Sequence, residues 1–229
     1  MIIVVNSHIN SKIARDHLFE SLKKCKEFEE FEFYVFIGGH YELENNYQVS
    51  KENNITYINC YHNSIDFTCF ISLFELRLDI NNIYFIMHDT MRVGELFFKK
   101  LKSINLNGLT SMKLGKTYSM NIGFYTQKII NYFGEFLSNN FKNKNENFSK
   151  NYKFNCVHYE DFIFKNDPNC KLIGGDSYKD PVITGPTNYY NTGTMRIVEY
   201  FENIDAYKIK ANYFITDDFR SNELTILTN

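Results

Sequence analysis

The sequence predicts an α/β protein: a mainly parallel open sheet flanked by helices, with a small antiparallel hairpin near the C-terminus. Three observations carry this. The chain opens on Ile2-Ile3-Val4-Val5, a β-branched run of the kind buried in a parallel sheet. Strand and helix patterns then alternate to about residue 100. Each early strand stops at polar or glycine residues, where open α/β sheets bind their ligands.

The elements follow in order. Asn6-Ser7 ends the first strand, and Ala14, Leu18, Leu22 and Cys25 recur at helical spacing over residues 11–26. Phe31 to Ile37 is a second strand, stopped by Gly38-Gly39. Ile55 to Asn59 is a third. Ile65, Cys69, Ser72, Leu73, Leu76 and Ile80 form the stripe of a second helix, with Ser64 as its N-cap. Tyr84 to Met87 is a buried strand that runs into His88-Asp89-Thr90, after which the pattern reads as helical. Thr110 to Thr126 reads as a loop, Gln127 to Asn140 as a helix, and Lys142 to Asn151 as an exposed, mobile polar stretch. Gly174 to Thr194 reads as irregular. Thr194 to Tyr200 and Ala206 to Phe214 alternate about a Glu-Asn-Ile-Asp turn, as an antiparallel hairpin does. The whole, residues 1–229, reads as one domain, with a ligand-binding half over 1–101 and a second half over 102–229.

Composition removes several classes. A net charge of -2 gives no electrostatic reason to expect a nucleic-acid partner. The five cysteines, odd in number and without CxxC spacing, argue against a zinc ribbon or a disulfide framework and favour a reducing, cytoplasmic setting. The opening "MIIVVNSHINSK" lacks the basic segment and apolar length of a signal peptide, and no stretch approaches the ~20 apolar residues of a membrane span. A GxGxxG loop, a GxSxG elbow and a Walker-type phosphate loop are all missing.

His88-Asp89-Thr90 carries most of the chemistry. An ionised Asp seldom ends a core strand without a partner. Beside an imidazole at a strand end, Asp89 is a natural ligand for a divalent cation such as Mn²⁺ or Mg²⁺. The competing role is helix capping at Met91, for which Asp89 and Thr90 are both suited. Asn6, Ser7 and Gly38 fall at neighbouring strand ends, and Asp66 sits in the first turn of the second helix, where a carboxylate also suits the helix dipole. Glu160 and Asp161, adjacent in "HYEDF", and Asp176 in a glycine-rich loop are the acids available as a general base. His158 is a further imidazole. Arg196, Lys208 and Lys210 of the hairpin are cations that either cover a diphosphate or stand in water.

The segment Phe85-Ile86-Met87-His88-Asp89-Thr90, placed after the early strands of an N-terminal α/β half, resembles the Asp-x-Asp motif of GT-A-fold glycosyltransferases. His88 stands where many members carry an acid, and Asp89 matches an acidic position. The resemblance spans Met1 to Leu101 by pattern and extends to "SMNIGFYT", Ser119 to Thr126, which is similar to an acceptor-side segment of that fold. It implies a Rossmann-like sheet and sugar transfer from a nucleotide-diphosphate donor, a UDP-sugar, to a glycan or other acceptor. It further implies a cation on Asp89, with His158 as a late ligand, and donor contacts from Asn6, Ser7, Gly38, Asp66, His88 and Thr90. The alternative is a nucleotide- or sugar-binding module of the same fold without turnover.

Overall fold

Residues 1–115, 119–147, 149–173, 178–179 and 196–210 are described in the computed structural model of the chain. In chain order the first elements are β1 (Ile2–His8), α1 (Lys12–Lys23), β2 (Glu32–Gly38), β3 (Tyr47–Glu52), β4 (Ile55–Cys60), α2 (Thr68–Glu75), β5 (Ile83–His88), β6 (Met91–Val93) and α3 (Phe97–Ser103). Then come β7 (Ser111–Leu114), β8 (Gly123–Thr126), α4 (Gln127–Phe141), α5 (Lys150–His158), α6 (Phe162–Asn166), β9 (Lys171–Ile173), β10 (Tyr178–Lys179), β11 (Arg196–Phe201) and β12 (Ala206–Lys210). The chain divides into two compact units. The first holds Met1–Ile9, Glu29–His88 and Asn105–Ile173; the second holds Asn10–Phe28, Asp89–Ile104 and Gly174–Asn229.

The first unit is an eight-stranded sheet in the order β3-β4-β2-β1-β5-β8-β7-β9. Its centre, β4-β2-β1-β5, is parallel throughout. β3 pairs antiparallel with β4 at one edge, and β8 pairs antiparallel with β5 and β7. Every residue of β1 from Ile2 to Ser7 is buried, as a central strand covered on both faces requires. On one face, Ile2, Val4, Phe36, Ile58, Tyr84 and Ile86 pack against Phe70, Ile71 and Leu73 of α2 and Ile130, Phe133 and Leu137 of α4. Thr126 caps α4 by accepting from the Ile129 N–H.

The second unit holds α1, α3 and an antiparallel sheet in the order β10-β11-β12-β6. The Val93 N–H donates to Ser21 Oγ, and Arg92 Nη1 donates to the Ala14 carbonyl, joining β6 to α1. Asp205, left-handed at φ 51°, closes the turn between β11 and β12. Its carboxylate accepts from the Leu96 N–H at the start of α3 (2.9 Å), and its carbonyl accepts from Gly94.

The structure corrects several local expectations. β1 runs on through Asn6 and Ser7 to His8, because these residues stay in register with Phe36 and Ile37 of β2. The second helix stops at Glu75, and Ile80 is 50% exposed. Ser64 makes no side-chain cap; its Oγ bonds His62 Nδ1 at 2.8 Å instead. Met91 begins a strand rather than a helix, because it pairs with Lys208 across the small sheet. Asp89 is therefore not a cap at Met91. The expected loop over Thr110–Thr126 contains β7 and β8, whose mutual pairing decides their conformation. The hairpin about Glu-Asn-Ile-Asp is present as β11 and β12 and gains β6 and β10 as partners. Ala211 to Phe214 and most of Gly174 to Thr194 lie outside the described residues.

Gly134 lies inside α4, where alanine ordinarily stabilises by up to ~1 kcal/mol. Here an added Cβ would sit 2.2 Å from Phe74 Cγ and 2.6 Å from its Cβ. We expect Gly134→Ala to destabilise by about 1–3 kcal/mol through overpacking, read as a lower urea midpoint. A raised midpoint would show that α2 and α4 part easily.

Candidate functional site

The chain builds β1, β2 and β4 outward on one side and then returns to place β5 on the other side of β1. The order therefore reverses between β1 and β5. Ligands of open α/β sheets bind at such a switch point, beyond the strands' carboxyl ends. Asn6 of β1 and His88 of β5 are register partners there.

Asn6 uses both ends of its amide. Nδ2 donates to the Ile65 carbonyl at 3.0 Å, and Oδ1 accepts from the Cys69 N–H at 3.2 Å. This holds the one-turn helix Ile65–Phe67 over the strand end. Ile65 is left-handed at φ 52°, an outlier for a β-branched residue. Its N–H is accepted by Asn63 Oδ1 at 3.0 Å. Strain of this kind costs roughly 1–3 kcal/mol and persists where surrounding bonds over-determine it.

Asp66 follows directly. Asn121 Nδ2 donates to its carbonyl at 2.8 Å and to Oδ1 at 3.3 Å. Asp66 Oδ1 lies 3.8 Å from His88 Nε2, and that nitrogen also stands 3.2 Å from Ser119 Oγ. Ser119 Oγ in turn accepts from the Asn121 N–H. Asn6, Asp66, His88, Ser119 and Asn121 thus form one polar cluster at the switch point. The side chains of Asp66 and His88 remain partly open to solvent. Ser119 and Asn121 belong to "SMNIGFYT", but their hydrogen-bonding roles were not legible in sequence.

Ser7 is buried and, by strand alternation, faces opposite to Asn6. Gly38 and Gly39 admit protein rather than open space. A Cβ at Gly38 would meet the His62 carbonyl at 3.0 Å, and one at left-handed Gly39 would meet His8 Nε2 at 2.6 Å. Thr90 is half-buried in the turn after β5.

Asp89 belongs to the second unit, where it is buried. Arg92 Nη1 donates to the carbonyls of Met91 and, at 3.5 Å, Asp89. Burial pulls the Arg92 guanidinium down to about 10, and the charges of Asp89 and Glu20 pull it back up. His158 is exposed on α5, with its ring parallel to that of Phe154. Asp161 pairs with Lys165 at 2.9 Å. Asp176 lies outside the described residues, as do the side chains of Arg196 and Lys210; Lys208 is half-buried. Among the described residues, no three His, Cys, Asp or Glu side chains converge as a cation site.

Solved structures with a similar backbone path are glycosyltransferases. The galactosyltransferase LgtC, in complex with donor and acceptor sugar analogs, aligns at 13% identity over 76% of this chain and 73% of its own, with a TM-score of 0.48. GlyE of Streptococcus pneumoniae TIGR4 aligns at 10% identity over 76% and 45%, with a TM-score of 0.45. Residues 1–349 of S. aureus TarS align at 11% identity over 76% and 58%, with a TM-score of 0.45. No protein-family model and no curated protein sequence matches the chain.

A second polar network, also missed in sequence, lies in the same unit. Glu75 accepts from Tyr47 Oη (2.7 Å), Ser138 Oγ (3.1 Å) and Lys142 Nζ (2.5 Å). Burial would raise the Glu75 carboxyl, but these donors outweigh it and hold the group below its usual range. Fully buried His62 stands 3.3 Å from Ser72 Oγ and 2.8 Å from Ser64 Oγ. Asn143 N–H donates to Ser64 Oγ, and Lys142 and Lys144 cover the Tyr61 ring. The lysine-rich stretch expected to be solvated is therefore anchored at its start.

Burial, and next the charge of Lys142, push the His62 imidazole down to about 4. The unfolded chain, with a His near 6.5, then binds more protons than the folded one between those values. Stability should be unaffected by His62 above pH 6.5, fall as pH drops toward 4, and level off below. We expect a loss of about 3 kcal/mol over that window, seen in urea melts and reduced in His62→Gln. An identical pH slope in that variant would assign the loss to other groups.

Proposed function

We propose that this protein transfers a sugar from a nucleotide-diphosphate donor, a UDP-sugar, to a glycan or other acceptor. The observation that carries this reading is the switch-point cluster, in which Asp66 and His88 are held at the carboxyl ends of the parallel strands. The likeness of Phe85–Thr90 to a reduced Asp-x-Asp motif adds the chemical class.

In this reading the nucleoside lies at the ends of β1 and β5. Asp66, fixed by Asn121, accepts hydrogen bonds from ribose or base, and His88, steadied by Ser119, faces the donor. Asp89 would hold Mn²⁺ or Mg²⁺. Such cations bind through one or two carboxylates and complete their shell with phosphate oxygens and water, and Asp89 would supply one such carboxylate. A bound cation supplies neutralisation of the charge that develops on the departing diphosphate. Glu160, Asp161 or Asp176 takes the proton of the acceptor hydroxyl. All five cysteines are free thiols. No helix of the described residues is long and apolar enough to cross a membrane.

One observation favours the binding-module alternative. Arg92 already lies in the field of Asp89, so that carboxylate is partly compensated without a metal.

Thermal unfolding with nucleoside diphosphates and nucleotide sugars, with and without Mn²⁺, tests the reading. A ligand at ~100 times its dissociation constant adds roughly 2.7 kcal/mol. We expect one nucleotide to stabilise the wild type, less stabilisation in Asp66→Ala, and loss of the Mn²⁺ component in Asp89→Ala. Stabilisation independent of Mn²⁺ and of Asp89 would point to the binding module. No stabilisation by any nucleotide would sink the transfer reading and leave only a sugar-binding module.

A further inference from the structure

We infer that the hollow at the end of α5 is a subsite for a neutral pyranose ring of the acceptor, an inference that rests on the glycosyl-transfer reading. The hollow has a volume of about 300 Å³ and is lined by Phe154, Val157, His158, Glu160 and Asp161. That is the lower end of the ~300–1,000 Å³ typical of small-molecule sites, a size suited to a small ligand.

The fold does not account for this lining. Only Cys156 of α5 is buried. Phe154 is 72% exposed and Val157 50%, so neither serves the core. Phe154 and His158 lie one helical turn apart with their rings nearly parallel (10°, centroids 6.5 Å), which puts an aromatic pair in the lining of the hollow. Asp161 adds a carboxylate. It accepts from Lys165, and an ionised carboxylate has about four acceptor positions, so further donors can be taken.

These two features select the occupant. The negative face of an aromatic ring attracts polarised C–H edges, and a pyranose has an apolar C–H face. Its rim of hydroxyls supplies the donors that a carboxylate needs. A purely apolar partner would supply no donor to the remaining acceptor positions of Asp161. An anionic ligand would meet like charge. A neutral sugar satisfies both walls.

The backbone beside the hollow is also hydrogen-bonded to the segment that carries part of the switch-point cluster. The Glu160 carbonyl accepts from the Met120 N–H at 2.7 Å, and neighbouring Ser119 bonds His88. The Ile163 N–H donates to Met120 Sδ. One short segment, Ser119 to Asn121, therefore touches both the rim of the hollow and the proposed donor side.

The test uses the full chain and methyl pyranosides of glucose, galactose, mannose and N-acetylglucosamine. Ligand-observed NMR measures binding to the wild type, Phe154→Ala and Phe154→Tyr, with circular dichroism confirming each fold. Nucleotide binding is followed on the same samples. We expect one glycoside to bind, affinity to fall roughly tenfold in Phe154→Ala, Phe154→Tyr to bind as wild type, and nucleotide binding to be unchanged. Sugar binding indifferent to Phe154, or none with the panel, would overturn the subsite. Loss of self-association in Phe154→Ala by sedimentation, without sugar binding, would also overturn it and make the face a contact between copies. If nucleotide binds and sugar does not, only the subsite fails. Phe154-dependent sugar binding without nucleotide binding would leave the subsite standing as a sugar site and overturn the transfer reading.

Discussion

The side chain of Asn6 is the constraint on which the candidate site depends. It sits on a central strand buried from Ile2 to Ser7, so its amide must find partners inside the protein. It finds them in the Ile65 carbonyl and the Cys69 N–H. Those bonds tie β1 to the turn that enters α2 and help keep Ile65 left-handed. Once Ile65 is fixed, so is the backbone of Asp66, and Asn121 fixes the carboxylate. A ligand met by this arrangement need not order the acid itself, which is the benefit of preorganisation.

The network around Glu75 works at longer range. It links β3, α2 and α4 with the chain that follows α4 through a carboxylate receiving three donors. Satisfied buried networks specify one arrangement, while a missing partner exposes the cost of a buried charge. The link runs on through Asn143 and Ser64 to His62, whose carbonyl borders Gly38 at the end of β2 and accepts from the Gly39 N–H. Polar residues with little signal in sequence therefore brace the chain that leads into Ile65.

Parallel strands with apolar runs were legible because burial on both faces leaves a composition signal that needs no partner to be read. β1, β2, β4 and β5 were each found within a few residues. β3 was missed because it is an edge strand, exposed from Gln48 to Glu52, whose apolar alternation is only Tyr47 and Val49. β6 was missed because three residues have no period of their own, and pairing with β12 decides them. The site was partly legible. Asp66 and His88 were picked out as single residues at strand ends, but their proximity arises from the register of β5 on β1 and from the turn held by Asn6. Ser119 and Asn121 were picked out only as part of "SMNIGFYT", and their bonds to His88 and Asp66 gave no signal, since a Ser or Asn between strands is common.

By itself the sequence determined the alternation of buried strands and amphipathic helices, the polar strand ends and the position of the His88-Asp89-Thr90 turn, because these are local patterns of polarity along one chain. Tertiary structure alone decided which strand ends meet, which carboxylate is oriented and which is compensated. Asp66 gains Asn121 and His88, whereas Asp89 lies in the field of Arg92. The reason is physical: a carboxylate's behaviour depends on charges and donors within a few ångströms, and most of those come from residues distant in the chain.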